Sequence, residues 1–227
     1  MSRKPFNQEK QEIKDEILLL SSMVEQAVMY SVEALRDHDL DRAHEIRSGD
    51  TKINRRRFEI ELSLMVLIAT QQPIAHDLRL LVGGLHICTE LERIADYAKG
   101  IANINIRAQG LGMPDILRDI YFMGEQTIDM LHRAMTAFSN EDAHAAKAIL
   151  YEDEAIDECY RRIYFKAVNR VLGDARNIEQ ANFLIGAAHH LERLGDRVIN
   201  ICQQVIYIAT GEHAKREDTL QATKFPV

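Results

Sequence analysis

Tryptophan is missing from this chain and proline is scarce, at Pro5, Pro73, Pro114 and Pro226 only. The first three prolines each fall near the start of an apolar periodic run, where proline is tolerated as an early helical residue. No stretch alternates with a period of two for long, so a sheet is not expected. Cysteine is limited to Cys88, Cys159 and Cys202, an odd number with no CxxC, all set within helical patterns. That argues against a secreted disulfide framework and for a reducing cytoplasm. Positive charge is also short: 28 lysines and arginines face 35 acids, for a net charge of -7. With acids and bases interleaved there is no basic stripe of the kind that nucleic acid requires. The longest nearly uncharged stretch, Leu62 to Ala75, contains Gln71, Gln72 and Pro73 and is too short to span a bilayer. The opening MSRKPFNQEKQEIKDE is polar and shows no secretory cleavage pattern. A soluble, cytoplasmic protein is expected, one still able to dock onto a membrane complex. The chain offers no nucleophile–base pair and no glycine-rich phosphate loop, so neither catalytic nor organic-cofactor-binding residues are expected.

What the chain does have is helical periodicity, with 46% hydrophobic and 28% charged residues over 227 positions. That is enough for one large domain or two small ones. Apolar or small residues at Ile13, Ile17, Leu20, Val24, Ala27, Ser31 and Ala34 form the four-three seam of a packed helix. Asp37-His38-Asp39 then offers an N-cap for a second helix through Ala43, Ile46, Ile53, Ile60, Leu64 and Leu67, ending at Gln72-Pro73. A third runs from about Pro73 to Ala108, about 50 Å at 1.5 Å per residue. Gln109 to Pro114 is the clearest linker, with two glycines and a proline in six residues. The pattern then restarts: a fourth helix from Ile116 to Ala137, a fifth from Ile149 to Val171, and a sixth through Leu191 to Ile208 that stops at Thr210-Gly211. The expected architecture is all-α, two tandem three-helix bundles over 1–110 and 111–212, followed by a polar tail over 213–227.

The two halves repeat each other in detail. Leu91-Glu92-Arg93-Ile94-Ala95-Asp96 returns as Leu191-Glu192-Arg193-Leu194-Gly195-Asp196, an offset of 100. On the middle helices, Asp39, Ala43, Ile46, Asp50, Ile53 and Asn54 match Asp142, Ala146, Ile149, Asp153, Ile156 and Asp157 at an offset of 103. Residues four apart share a helix face, so Glu92 with Asp96, and Glu192 with Asp196, place like charges one turn apart at a cost of roughly 0.2–0.5 kcal/mol. Asp50 and Asp153 each occupy a slot in the apolar seam, where a carboxylate is costly unless paired or bound to a cation. Each half therefore offers D-x-x-x-[ND] on its middle helix and E-x-x-x-D on its last. On antiparallel neighbours ~8–10 Å apart these acids can converge. The candidate metal ligands are Asp50, Asn54, Glu92 and Asp96 in the first half and Asp153, Asp157, Glu192 and Asp196 in the second. Carboxylate-rich sites without thiolate suit Mg²⁺, Ca²⁺, Mn²⁺ or iron, and zinc is admissible. For any single copy, a solvated face or a salt bridge to Arg93 or Arg193 is the competing reading. Asp41-x-x-His44 and Glu141-x-x-His144 resemble half of a di-iron motif, but both fall in the opening turn of a helix. His189, three residues before Glu192, reads as a packed or surface histidine that is also in reach of that acid.

Taken together, ELERIADYAKGIA, HLERLGDRVINI, IATQQPIAHDLRLL and the closing VIYIATGE resemble the PhoU family over roughly Glu9 to Glu212. The resemblance implies two three-helix bundles side by side and multinuclear iron or zinc clusters on the repeated [ED]-x-x-x-D motifs. Asn54 departs from that acidic pattern, which implies a smaller or weaker first cluster. The resemblance also implies a dimer and a negative regulator of the phosphate-starvation response and of phosphate uptake. Its partners would be the ATPase subunit of the phosphate ABC transporter and a membrane sensor histidine kinase. The alternative from another class is a carboxylate-bridged di-metal oxidase or ferritin-like storage protein.

Overall fold

The computed structural model describes residues 3–108 and 110–212, without the side chains of 3–5 and 153. Gln109 and the tail expected over 213–227 lie outside the described residues. The elements in order are α1 Arg3–Asp37, α2 Leu40–Gln71, α3 Ala75–Ala108, α4 Pro114–Asn140, α5 Ala143–Ile149, α6 Asp153–Gly173 and α7 Ile178–Thr210, with a short 3-10 turn over Ala175–Asn177 before α7. All the regular structure among these residues is helical. Repeated aspartates start two of the helices. Asp39 accepts the amide of Arg42 at 2.9 Å, and Asp142 accepts those of His144 and Ala145, each at 2.9 Å. One matched pair of the repeat is thus explained by capping alone. Proline is the first residue of α4, where its missing N–H costs nothing. Left-handed residues close three helices without glycine, at His38, Gln72 and Glu141, and Gly211 ends α7.

The helices fold as two units, α1–α3 and α4–α7, whose last members pack on each other. The contact of α3 with α7 is the most extensive in the molecule, and α1 lies along α4. One apolar cluster runs through both units, from Ile17 and Leu20 to Ile206 and Ile208. This double duty widens the buried stripe of α1 beyond the expected seam. Val28, Val32 and Leu35 are buried as well, because α1 faces α2, α3 and α4 at once. By length and composition α1 over Phe6–Asp37 would suffice to cross a membrane, yet its apolar side chains form core here. Close approach depends on small residues: a Cβ added at Gly83 of α3 would stand 2.6 Å from the buried Ile208 of α7, and one at Gly100 2.6 Å from His190. The side-chain amide of Asn105, 1% exposed, donates to the carbonyls of Ala34 at 2.8 Å and Asp39 at 3.2 Å. It ties the α1–α2 turn to the end of α3 as a second donor to carbonyls that already accept the amides of Asp39 at 3.0 Å and Ala43 at 3.2 Å.

The structure corrects two boundaries. The third helix begins at Ala75 rather than Pro73, since Gln72 and Ala75 take left-handed backbone on either side of the proline. The expected fifth helix is two helices. The chain tightens after Ile149 into i→i+3 bonds, Leu150 to Lys147 at 3.2 Å, Tyr151 to Ala148 at 3.3 Å and Glu152 to Ile149 at 3.0 Å. Arg133 of α4 clasps the Glu152 carboxylate with two nitrogens, which anchors the joint from outside. No proline or glycine marks it, so the helical periodicity continues straight through.

Two substitutions probe this frame. Asn105→Ala removes this tether while the Ala34 and Asp39 carbonyls keep their backbone donors, and is expected to cost about 0.5–1.5 kcal/mol, read from urea denaturation midpoints. Gly83→Val overfills the α3–α7 contact and is expected to cost about 1–3 kcal/mol in the same assay.

Candidate functional site

The first-half acids meet where α2 crosses α3. Asp50 is 6% exposed, in the seam slot that the periodicity indicated. Its Oδ2 accepts from Lys99 Nζ at 2.7 Å and from Asn54 Nδ2 at 3.1 Å. Asp50 Oδ1 and Asn54 Oδ1 are buried without a hydrogen-bond partner. Glu92 is half-buried; burial first and then the Asp96 charge one turn away push its carboxyl above the usual range, with Asp50 adding to this. Arg57 and Arg93 oppose that rise. Arg93 stands 3.9 Å from Glu92 and 4.0 Å from Asp96, while Arg57 also pairs with Glu61 at 2.7 Å. The hydrogen bond from Lys99 to Asp50, and then the Asp50, Asp96 and Glu92 charges, hold the ammonium above its ordinary pKa. Asp50, Asn54 and Lys99 are thus bonded together, while Glu92 and Asp96 interact with Lys99 through their charges only.

The second half repeats the arrangement on α6 and α7 with fewer cations. Glu192 is pushed upward by burial and by the Asp196 and Asp157 charges, against His189 and Arg193. His189 Nδ1 lies 3.2 Å from Glu192 Oε2. That contact lacks hydrogen-bond alignment, so the oxygen is buried without a partner. Tyr160 of α6 sits beside them, its phenol raised by burial and by Glu192. Arg193, the counterpart of Arg93, lies over the Tyr97 ring at 5.1 Å. Asp153 opens α6, and its side chain lies outside the described residues. Between the halves, Glu90 of α3 accepts from Asn200 at 3.2 Å and Arg197 at 3.5 Å, both on α7.

Among the described residues, no three His, Cys, Asp or Glu side chains are gathered closely enough to hold a metal ion. The donor chemistry of the two halves still differs. In the second, one Glu192 oxygen is buried without a hydrogen-bond partner and feels the Asp196 and Asp157 charges, oxygen chemistry of the kind a hard cation takes. In the first, one carboxylate oxygen is already bonded to an ammonium, and the neighbouring side chain is an amide. The half-motifs at the helix starts do not join either patch. Asp41, His44 and His144 are exposed, and Glu141 instead accepts from Lys14 at 3.1 Å and bonds His76 at 2.7 Å. The four core helices with E-x-x-H pairs that a ferritin-like oxidase needs are not formed by these residues.

Sequence reasoning missed Lys99, Arg57 and Tyr160. The signal was available in the spacing. Lys99 follows Glu92 by seven residues, and Arg57 and Tyr160 follow Asn54 and Asp157 by three, so each lies on its patch's face. Cys88 and Cys202 play no part. They are buried, and burial pushes both thiols up to about 12.

Comparison with known proteins bears on this arrangement. The PhoU domain family matches the chain twice, over residues 17–104 and 120–205. A phosphate-specific transport system accessory protein PhoU homolog of Clostridium acetobutylicum is 33% identical over 219 residues, covering 96% of this chain and all of that one. The Escherichia coli accessory protein PhoU is 31% identical over 207 residues, 91% of this chain and 86% of its own. Among solved structures, PhoU from Pseudomonas aeruginosa superposes with a TM-score of 0.86 at 31% identity, covering 91% of this chain and all of that one. The phosphate transport system regulatory protein PhoU of Streptococcus pneumoniae gives 0.85 at 28% identity, covering 92% and 99%. Two matched repeats, near-complete coverage and the shared fold establish that this chain belongs to the PhoU family.

Proposed function

We propose that this protein restrains phosphate uptake and phosphate-starvation gene expression as a helical adaptor on the cytoplasmic side of the membrane. An accessory, regulatory role in phosphate transport follows from family membership. The finer reading is that it stands between the ATPase subunit of the phosphate ABC transporter and a sensor histidine kinase, as a homodimer and without catalysis of its own. The observation that carries it is a pair of exposed apolar stripes, one on the outer face of each half. On α2, Phe58, Leu62, Met65 and Val66 are 58%, 50%, 49% and 53% exposed. On α6, Phe165 and Leu172 are 63% and 80% exposed, and Leu62 and Phe165 match at the repeat offset of 103. Contiguous exposed apolar groups mark protein-contact surfaces more than they mark anything else. Iron or zinc on the second-half acids, Asp153, Asp157, Glu192 and Asp196, would stiffen the α6–α7 pair behind one of those stripes.

The reading is tested in cells. Deleting the gene should make phosphate-starvation genes constitutive in rich phosphate, and Leu62→Glu with Phe165→Glu should do the same while leaving the purified protein's helical content intact. Normal repression in the deletion strain refutes the role. A second measurement addresses the acids. In chelator-treated protein, wild type bears the repulsion at Glu192 whenever that carboxyl is ionised. Its folded pKa lies above the ordinary 4.5, so the cost is present at neutral pH and fades as pH falls through the folded value. Glu192→Gln is therefore expected to be more stable than wild type by about 0.5 kcal/mol at pH 7. The gap should close near pH 4 (melting curves against pH).

A further inference from the structure

The two acidic patches have diverged in charge. At three positions matched by the repeat, the first half is more positive by one charge each. Asn54 stands for Asp157 and Arg57 for Tyr160, at the offset of 103. Lys99 stands for Ile199 at the offset of 100. Ile199 is buried at 4% exposure, so the second half has an apolar side chain where the first has an ammonium. The ammonium is not idle: it lies 2.7 Å from Oδ2 of Asp50, the most buried acid of the patch. Asn54 bonds the same oxygen at 3.1 Å. Arg93 keeps its charge within 4.0 Å of both remaining acids, whereas Arg193 is turned to Tyr97. Glu61, opposite Tyr164, takes part of the Arg57 charge but none of the Lys99 charge.

We propose that the first patch is a metal-independent copy of the site, in which Lys99 is the resident cation and excludes a divalent ion. A divalent cation held without thiolate takes several oxygens, about four or more, and is drawn chiefly by carboxylate charge. The buried open oxygens here, Asp50 Oδ1 and Asn54 Oδ1, supply one carboxylate and one amide beside an ammonium, and the Glu92 and Asp96 carboxylates have the Arg93 charge within 4.0 Å. A covalently tethered cation cannot be removed by a chelator or by metal scarcity. The first half therefore keeps its α2–α3 crossing whatever the metal supply, and only the second half senses metal. Metal sensing by the second half rests on the proposed role of its acids; the exclusion at Lys99 does not.

Bound Zn²⁺ per chain, counted by mass spectrometry after loading and gel filtration, separates the two claims. Glu192→Gln with Asp196→Asn should abolish the zinc of the wild type. Adding Lys99→Met to that double variant should restore at least one equivalent, and a further Asp50→Asn should remove it again. Lys99→Arg in place of Lys99→Met should restore none. The proposal is overturned if the double variant keeps zinc that Asp50→Asn removes, or if Lys99→Met gains none. Wild type without zinc overturns the metal reading of the second half, and the Lys99→Met gain then decides the exclusion by itself. Should Lys99→Met fold poorly alone, zinc must raise its melting temperature and leave Lys99→Met with Asp50→Asn unchanged. Equal response of both overturns the proposal.

Discussion

The contact between α3 and α7 sets the terms for everything else. These helices are repeat-related, and their backbones approach where α3 presents small groups, Gly83 and Gly100, to Ile208 and His190 of α7. A helix pressed so closely on one side has little freedom to roll. Its other side, carrying Glu92 and Asp96 or Glu192 and Asp196, is then aimed at a fixed neighbour, α2 or α6. The acids are half-buried because the core beneath them cannot move to release them.

Burial without enough partners is costly for a carboxylate, and the molecule meets that cost differently in its two halves. Pairing with Lys99 satisfies one oxygen of Asp50 and leaves the other open. At Glu192 the nearest nitrogen, on His189, is close but misaligned. Replacing buried ionic groups by well-packed apolar ones is often neutral or stabilising, so these acids are weak contributors to stability. Their retention in both copies therefore points to use rather than to stability.

The helical class, the internal duplication, the linker and the capping aspartates were legible because each follows from local chemistry with a fixed period. Asp50 stood out as a charge in an apolar slot, and it is buried. Other features were hidden because they depend on partners far away in the chain. The joint between α5 and α6 is held from α4 by Arg133, with no proline or glycine to announce it. Asn105 reads as an ordinary polar interruption until its carbonyl partners 71 and 66 residues earlier are known. Lys99 was visible on the right face, but its choice of Asp50 over solvent comes from the way α2 and α3 cross.

That joint has an electrostatic consequence. Asp50 sits ten residues inside an unbroken α2, whereas the cut before Asp153 makes it the first residue of α6. The first turn of a helix carries free amide hydrogens and the positive pole of its macrodipole, equivalent to about half a unit charge. The second half thus gains by a bend in its backbone a fraction of what the first gains from a whole ammonium. Under the proposed metal reading, the remainder is the deficit that a mobile ion would fill.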